Sequence, residues 1–357
     1  MWRFIDVDKV DGAYSTALFQ SIGRHVGSGT SDETILFWRV SNPALYLGYH
    51  QYVEDEVHEA YCQANNIDVI RRILGGGCGY CDSDQILFAV IGTSGGIIST
   101  NIQEAYKKVL LGVVSALSIL GLEGEFDQTR NGVFVGGRKI SGNAQGRFDG
   151  SVMVNGSFLL DFDFETMDQV LKHPTKNLRP HVNTARQGMI TLSDLMELPD
   201  LEEIKQALRA GFEDALGIGT YDGQLSEAEI ILAQELTTLY TSRDWIYRMD
   251  DKRKKRREKE MVLEDYLKGI HKSKGGIIRS FLKVDNGLIS DISFSGDFFM
   301  FPEDAIDVIL ARLNGTAATE EAVLSAVKEV YESEGIQSPG TTPEDFTISI
   351  MQAIGRK

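Results

Sequence analysis

In the stretch Val133-Phe134-Val135-Gly136-Gly137-Arg138-Lys139-Ile140-Ser141-Gly142, two β-prone runs flank a pair of glycines. A glycine pair in this setting is typical of a tight β-hairpin, because both central residues of the favoured turn need positive φ angles. Another apolar run, residues 151–160, follows at once and predicts a neighbouring strand. This part of the chain is therefore expected to form an antiparallel sheet.

Strands and helices are mixed along the chain rather than strictly alternating. Runs of β-branched and aromatic residues at 34–40 and 44–49 predict strands. Apolar residues at helical spacing over 12–26 and 101–120 predict helices. The expected class is α+β, with a mixed or antiparallel sheet and flanking helices, and not a doubly wound parallel sheet.

A break in composition marks the end of this part. Residues 250–260 are almost wholly charged, and beyond them two alternating runs flank Asp285-Asn286-Gly287, a strong hairpin signal. We expect a large domain and a small α+β domain, over residues 1–243 and 244–357. Within the second, the predicted strands cover 275–284 and 288–294, and the predicted helices 302–313 and 319–334.

The bulk composition limits the possible classes of function. The 357 residues include 36 basic and 52 acidic side chains, a formal net charge of −16. Nucleic acids and anionic membranes recruit basic proteins, so neither is an expected partner. No apolar run approaches the ~20 residues that cross a bilayer, and the N-terminal residues lack the pattern of a signal peptide. With three cysteines, too few for a disulfide framework, we expect a cytoplasmic protein.

A glycine triplet, Gly75-Gly76-Gly77, lies between predicted strands at 68–72 and 85–91. Such a loop approaches a ligand with its backbone N–H groups, and the guanidinium groups of the preceding Arg71 and Arg72 complement phosphate or carboxylate. The alternative is a plain turn between strands. No Lys-Ser or Lys-Thr follows, and the next element is a strand, so the loop is neither a Walker A motif nor a dinucleotide-binding turn.

Lys139 stands between the Gly-Gly turn and the Ser141-Gly142 step. A single lysine on a strand is ordinarily a solvated surface charge. The small residues around this one leave room for a ligand, and a loop suited to phosphate lies earlier in the same domain. We therefore single out Lys139 as the first candidate for a catalytic cation.

Together, the two glycine-rich segments resemble those of the lipoate-protein ligase family, within the superfamily of biotin and lipoate ligases and octanoyltransferases. They occur in the family's order, and Asn155-Gly156-Ser157-Phe158-Leu159-Leu160 resembles its next strand. Residues 275–287 and 294–299 resemble the accessory domain of the two-domain ligases. The resemblance covers most of the chain. It implies a biotin/lipoyl protein ligase-like catalytic domain followed by an accessory domain.

The resemblance also implies two half-reactions. Lipoate and ATP, with Mg²⁺, form lipoyl-adenylate and pyrophosphate, and a lysine of a lipoyl acceptor domain then displaces AMP. The implied acceptors are 2-oxoacid dehydrogenase E2 subunits, the glycine cleavage H protein or a related carrier. Lys139 would contact the acyl carbonyl and the α-phosphate, where a fixed cation stabilises developing charge.

The same resemblance assigns the binding residues. The implied ATP and lipoyl-adenylate site comprises Arg71, Arg72, Gly75, Gly76, Gly77, Cys78, Gly79, Tyr80, Asn131, Lys139, Ser141 and Gly142. The acyl chain would lie against Cys81, Ala144 and Asn155. No metal ligands from the protein itself are expected.

Two positions depart from the family pattern. Where the ligases usually read His-Asp after the glycine loop, this chain reads Cys81-Asp82. Where they read Asn-Asp before the lysine, it reads Asn131-Gly132. These changes bear on acyl-chain selectivity and on nucleotide contacts, and not on the expected role of Lys139.

Two other functions are compatible with the same residues. An ATP-independent octanoyl or lipoyl transferase of the superfamily would use a cysteine shortly before the lysine segment. Residues 126–131 contain none, so Cys78 or Cys81 would have to serve. A non-catalytic protein that binds an acyl group or nucleotide would keep the pocket without turnover.

Two further features allow more specific hypotheses. His58, Cys62, Cys78 and Cys81 are of the residue types that bind zinc, which makes a zinc site an alternative. The basic residues within 252–259 have acidic neighbours, including Asp250, and this mixture is typical of a solvated helix face. As a hypothesis, the basic run would steer an acidic acceptor domain to the enzyme.

Overall fold

The computed structural model describes residues 1–172, 185–250 and 266–355. The strands are β1 Trp2–Val10, β2 Thr34–Val40, β3 Ala44–Leu47, β4 Asp68–Arg71, β5 Gly79–Cys81, β6 Gln85–Thr93, β7 Glu125–Asp127, β8 Gly132–Val135, β9 Arg138–Phe148, β10 Ser151–Leu159, β11 Thr220–Asp222, β12 Leu267–Ser273, β13 Gly276–Asp285 and β14 Leu288–Gly296. The helices are α1 Gly12–Gly27, α2 Val53–Glu56, α3 Glu59–Ala64, α4 Ile102–Ile119, α5 Phe164–Val170, α6 Ala185–Gly188, α7 Leu201–Leu216, α8 Glu227–Tyr240, α9 Arg243–Ile246, α10 Ala305–Leu313, α11 Glu320–Ser333 and α12 Pro343–Ile354.

The chain divides into two compact units, each made of several segments. The first comprises Met1–Tyr46, His58–Ile70 and Gly79–Ser242. The second comprises Leu47–Val57, Arg71–Cys78 and Arg243–Lys357.

The first unit is built on a mixed sheet with the strand order β11-β1-β2-β6-β10-β9-β8-β7. β1 pairs in parallel with β11 and β2, and the other pairings along this sheet are antiparallel. β2 and β6 are buried almost throughout, as expected for strands covered on both faces. The predicted α+β class with a mixed sheet and flanking helices is confirmed.

Helices α1 and α8 pack together, as do α4 and α7. Asn101 begins α4 by accepting hydrogen bonds from two backbone N–H groups of the first turn. Two glycines allow α7 to lie close to α4. A Cβ on Gly211 would be only 2.2 Å from the carbonyl oxygen of Gly112, so a larger residue at 211 would not fit. From α7, Phe212 contacts Phe88 of the sheet at a centroid distance of 5.0 Å. The buried helix predicted at 101–120 therefore lies beside the helix that covers the sheet.

The second unit contains an antiparallel sheet in the order β12-β13-β14, with helices α10 to α12. The predicted turn joins β13 to β14, with φ angles of +51° at Asn286 and +77° at Gly287. The missing side chain of Gly269 allows α12 to lie close to β12. A Cβ on Gly269 would be only 1.8 Å from the carbonyl oxygen of Ser349. Phe294, Phe298 and Phe346 lie in the apolar core between sheet and helices.

The charged run that begins at Asp250 is not solvated at its first residue. Asp250 is 2 % exposed, its Oδ2 lies 3.6 Å from Nη2 of Arg71, and it accepts hydrogen bonds from the N–H groups of Val53 and Glu54. The prediction of a solvated face is wrong for Asp250, because its charge is compensated inside the unit. Residues 251–260 lie outside the described residues, so the steering hypothesis stays a prediction.

His50 is buried in the same unit, and its ring stacks on Phe298 at a centroid distance of 4.8 Å. Neither ring nitrogen has a hydrogen-bond partner among the described residues. Burial, followed by the charges of Arg248 and Arg71, lowers the pKa of His50 to about 3. The imidazole is therefore neutral in the folded protein at physiological pH.

We expect His50 to make the free energy of unfolding fall as the pH drops from 7 to 5. The unfolded histidine has a pKa of about 6.5, so only the unfolded chain takes up a proton in this interval. His50→Phe keeps the stacking on Phe298. Between pH 7 and pH 5 its free energy of unfolding should fall by roughly 1–2 kcal/mol less than that of the wild type, as measured by urea unfolding. The exposed His58, changed to Phe, is the control. Equal losses in wild type and His50→Phe would contradict the prediction.

Candidate active site

The predicted hairpin is formed by β8 and β9. Its turn consists of Gly136 and Gly137, whose φ angles are +56° and +77°. Two successive positive φ angles are what the favoured two-residue hairpin turn requires, so the glycine pair is explained by the turn itself.

A bulge in this hairpin determines which way Lys139 faces. Val133 pairs with Ser141 but Phe134 pairs with Lys139, which leaves Ile140 as the extra residue. Paired residues share a face of a sheet and neighbours along a strand alternate. The bulge therefore turns Lys139 to the face of Phe134 and Ser141 to the opposite face.

Lys139 is half-buried and held from both sides of its strand. On one side, Lys139 pairs with Phe134 of β8, and its Cε lies where a Cβ added to Gly132 would be only 2.7 Å away. On the other, the N–H of Ile190 donates to the Lys139 carbonyl at 3.0 Å, and Met189 forms a parallel bridge with Lys139. The backbone that carries the candidate cation is thus fixed within the first unit.

Asn143 is a further residue of the candidate site that was not predicted from the sequence. Its Nδ2 donates to the carbonyl oxygens of Asn131 at 3.3 Å and Ser141 at 3.1 Å, and its Oδ1 accepts from the Ser141 hydroxyl at 3.1 Å. Asn131 has a φ of +44°, a conformation that asparagine tolerates better than most residues. The one signal in the sequence was the strand spacing that puts Asn143 on the same face as Ser141.

The residues predicted to line the acyl pocket lie in two sheets of the first unit. Ala144 and Asn155 face each other across β9 and β10, and Asn155 Oδ1 is buried without a hydrogen-bond partner among the described residues. Cys81 pairs with Ala44 in the smaller sheet, of order β4-β3-β5. Burial, and next the nearby Cys81 thiol, raises the pKa of the Tyr46 phenol. The unpaired amide oxygen of Asn155 is thus available to a ligand.

The glycine loop belongs to the second unit. Arg72 Nη2 donates to the carbonyl oxygens of Gly75 at 3.0 Å and Gly77 at 2.8 Å. Gly76 has a φ of +91°, and a Cβ there would lie 2.6 Å from the Phe299 ring. Glycine is therefore required at position 76 for two reasons: the positive φ angle of the loop, and the Phe299 ring, which a larger side chain would clash with.

Arg71 anchors the start of this loop. Its guanidinium is fully buried and donates to four carbonyl oxygens, those of Gly48, Tyr49, Gln51 and Ile246. These contacts indicate that Arg71 supports the loop, and its direct contact with a nucleotide stays a prediction.

The strand predicted to run to residue 49 ends at Leu47, and the next residue, Gly48, has a role that was not predicted from the sequence. A Cβ on Gly48 would lie 1.8 Å from the carbonyl oxygen of Gly76. Gly48 is therefore a further residue that the loop requires.

The predicted binding residues are divided between the units. Arg71 to Cys78 belong to the second unit, and Gly79 to Cys81, with the hairpin residues, belong to the first. Within the described ranges, no group of three or more His, Cys, Asp or Glu side chains is placed to hold a metal ion, so the zinc hypothesis gains no support there. In those ranges, no helix is long and apolar enough to span a bilayer.

Comparison with known proteins identifies the family. Residues 11–213 match the model of the lipoyl protein ligase A/B catalytic domain, and residues 266–350 match that of the bacterial lipoate protein ligase C-terminus. The octanoyltransferase LipM of Clostridioides difficile (strain 630) is 26 % identical over 264 residues, covering 68 % of this chain and 97 % of its own.

Solved structures agree with this match. Lipoate-protein ligase A bound with ATP is 25 % identical with a TM-score of 0.61, over 70 % of this chain and 99 % of its own. The bipartite lipoate protein ligase of Thermoplasma acidophilum, described with its E2 lipoyl domain, is 26 % identical with a TM-score of 0.63, over 70 % and 96 %. The catalytic-domain model alone covers more than half of the chain. The chain therefore belongs to the family of lipoate-protein ligases and octanoyltransferases that share the lipoyl protein ligase A/B catalytic domain.

Proposed function

We propose that this protein activates lipoate, or a related medium-chain acid, with ATP and transfers the acyl group to a lysine of a lipoyl acceptor domain. The observation that carries the proposal is the second family match, at residues 266–350, to the C-terminus of bacterial lipoate protein ligases. The LipM relative aligns over nearly its whole length yet accounts for only 68 % of this chain. In this proposal, residues 1–243 form the catalytic domain and residues 244–357 the accessory domain.

In the first half-reaction, a carboxylate oxygen of the acid attacks the α-phosphorus of ATP. The bond from that phosphorus to the bridging oxygen breaks, and pyrophosphate leaves with the electron pair. The Lys139 ammonium would stabilise the charge that builds on the α-phosphate, a contribution that is large where water is excluded. N–H groups of the glycine loop, whose shape Arg72 maintains, would bind phosphate oxygens. ATP would enter as its magnesium complex, and the solved ligase with ATP supports this substrate.

In the second half-reaction, a neutral lysine amine of the acceptor attacks the acyl carbon. The bond from carbon to the AMP oxygen breaks, the amine nitrogen loses a proton to solvent, and an amide remains. Lys139 would stabilise the oxyanion and the departing phosphate in turn. The structure of the archaeal ligase, described with its E2 lipoyl domain, supports an acceptor of the E2 class.

A second candidate is ATP-independent octanoyl transfer, favoured by the name of the LipM relative. That chemistry needs a cysteine thiolate to carry the acyl group. Cys62 does not suit it, because the residue is 1 % exposed and burial raises the pKa of its thiol to about 11. Cys78 and Cys81, both half-buried, are the other cysteines of the chain.

The two candidates differ in their need for ATP. We expect pyrophosphate release when the protein receives MgATP with lipoate or octanoate, and a mass increase of an added acceptor domain that equals the mass of the acid less one water. Acyl transfer from a carrier protein at an undiminished rate without ATP would overturn the ligase. Binding of the acid without adenylate in a single turnover would favour a non-catalytic binding protein.

A further inference from the structure

We propose that Gly132 is a positioning residue for Lys139. The space left by its missing side chain receives the end of the lysine chain, and Asn143 holds the backbone that forms this space. The effect on catalysis rests on the proposed function, whereas the placement of Lys139 can be tested without it.

The surroundings of Gly132 leave no room for a larger side chain. A Cβ on Gly132 would lie 2.7 Å from Lys139 Cε, 3.1 Å from the Phe134 ring and 3.2 Å from the Ser141 carbonyl oxygen. Carbon atoms in contact are ordinarily ~3.5–4.0 Å apart. Any residue larger than glycine at 132 therefore displaces the lysine chain or its neighbours.

The backbone at position 132 is held on both sides. Gly132 pairs with Asp127 of β7 and with Gly142 of β9. The preceding carbonyl, of Asn131, accepts a hydrogen bond from Asn143. Gly132 is buried and is not among the glycines with positive φ, so an alanine there meets no backbone strain. Because the strands are fixed and Lys139 Cε is the nearest atom, the lysine is the part that moves.

Glycine at position 132 also removes a charge from beside Lys139. Gly132 stands where a carboxylate is expected from the family resemblance. With a Cβ so close to Lys139 Cε, a carboxylate at 132 would lie within ion-pairing reach of the ammonium. In this chain no such charge neutralises Lys139 from position 132. Position 132 therefore acts on the lysine chain through packing and not through charge.

The experiment compares Gly132→Ala with Gly219→Ala. Both add one methyl group, but a Cβ at the exposed Gly219 meets no atom within 4 Å. The reactivity of Lys139 toward an amine-acylating reagent is followed by peptide mass spectrometry, with the exposed Lys107 as internal reference. The measured quantity is the ratio of the Lys139 labelling rate to the Lys107 labelling rate. In Gly132→Ala this ratio should be higher than in the wild type, because the methyl group pushes the ammonium outward. The ratio should be unchanged in Gly219→Ala.

Steady-state kinetics of adenylate formation give the second readout. In Gly132→Ala, kcat should fall by roughly ten- to a hundredfold with little change in KM for ATP, because the cation is displaced and the pocket is not. An unchanged labelling ratio in folded Gly132→Ala would overturn the proposal, and so would an unchanged kcat. If the wild type makes no adenylate, the proposed function fails, and the labelling ratio still decides the positioning.

Asn143→Ala tests the proposal independently, in case the Gly132→Ala protein does not fold. This variant removes the hydrogen bond to Asn131 without filling the space at 132. We expect the Lys139 labelling ratio to shift and kcat to fall less than in Gly132→Ala. A folded Asn143→Ala protein with wild-type values of both would overturn the proposal.

Discussion

Lys139→Met is expected to lower the rate of adenylate formation by roughly 10²–10³-fold, the usual cost of removing one preorganised charge-stabilising group. Methionine keeps an unbranched chain of similar length, so the packing against Gly132 is largely preserved while the ammonium is lost. Transfer from preformed lipoyl-adenylate to an acceptor domain should slow as well, because the same cation is proposed to act in both steps. Pyrophosphate release and acceptor mass spectrometry measure the two steps separately.

Lys107→Met is the matched control for this change. Lys107 is exposed on α4, outside the candidate site, so its variant should keep wild-type rates in both steps. Wild-type adenylate formation by folded Lys139→Met would remove Lys139 from the mechanism. A loss confined to the transfer step would limit its role to the second half-reaction.

Arg71→Met is expected to reduce the free energy of unfolding by about 3–5 kcal/mol, the range measured when one partner of a buried ion pair is removed. Burial lowers the pKa of the Arg71 guanidinium to about 10, which still leaves it charged at neutral pH. Its removal leaves the Asp250 carboxylate buried without its counter-charge. The four carbonyl oxygens that Arg71 satisfies also lose their donor, which adds to the cost.

Arg312→Met is the control for this prediction. Arg312 Nη2 lies 2.8 Å from Glu329 Oε2, but both side chains are about half-exposed. The variant should therefore lose no more than ~1 kcal/mol of its free energy of unfolding. Urea unfolding of both variants at pH 7 makes the comparison. Similar losses would show that the buried pair around Arg71 contributes no more than a surface pair.

The elements predicted correctly from the sequence are those with strong local signals. The Gly136-Gly137 and Asn286-Gly287 turns, the strand Thr34–Val40 and the helix Ile102–Ile119 each carry their own pattern of turn residues or apolar periodicity. The strand Trp2–Val10 was not predicted, although apolar and polar residues alternate over part of it. It pairs in parallel with strands from distant parts of the chain, and no local turn marks that pairing.

Two further elements were missed in the C-terminal part. The strand Leu267–Ser273 follows a charged run and contains two lysines and a glycine, which weakens its pattern. The helix Pro343–Ile354 begins with a capping box formed by Thr342 and Asp345, a signal that was available in the sequence.

Within the candidate site, the sequence indicated residue types but not their directions. One bulged residue, Ile140, puts Lys139 and Ser141 on opposite faces, and a register shift of one residue cannot be read from composition. The burial of Arg71 was equally hidden, because its partner Asp250 lies far along the chain in a run that suggested solvent exposure. Both are consequences of long-range pairing.

The placement of the glycine loop in the second unit also limits how this protein can be divided. The Phe298 carbonyl accepts a hydrogen bond from the Gly76 N–H, and the Phe299 ring covers Gly76. A gene split after codon 243 would put the loop and its cover on two polypeptides. The halves would then have to associate as a heterodimer before the loop regained its packing, and enzyme activity would depend on protein concentration.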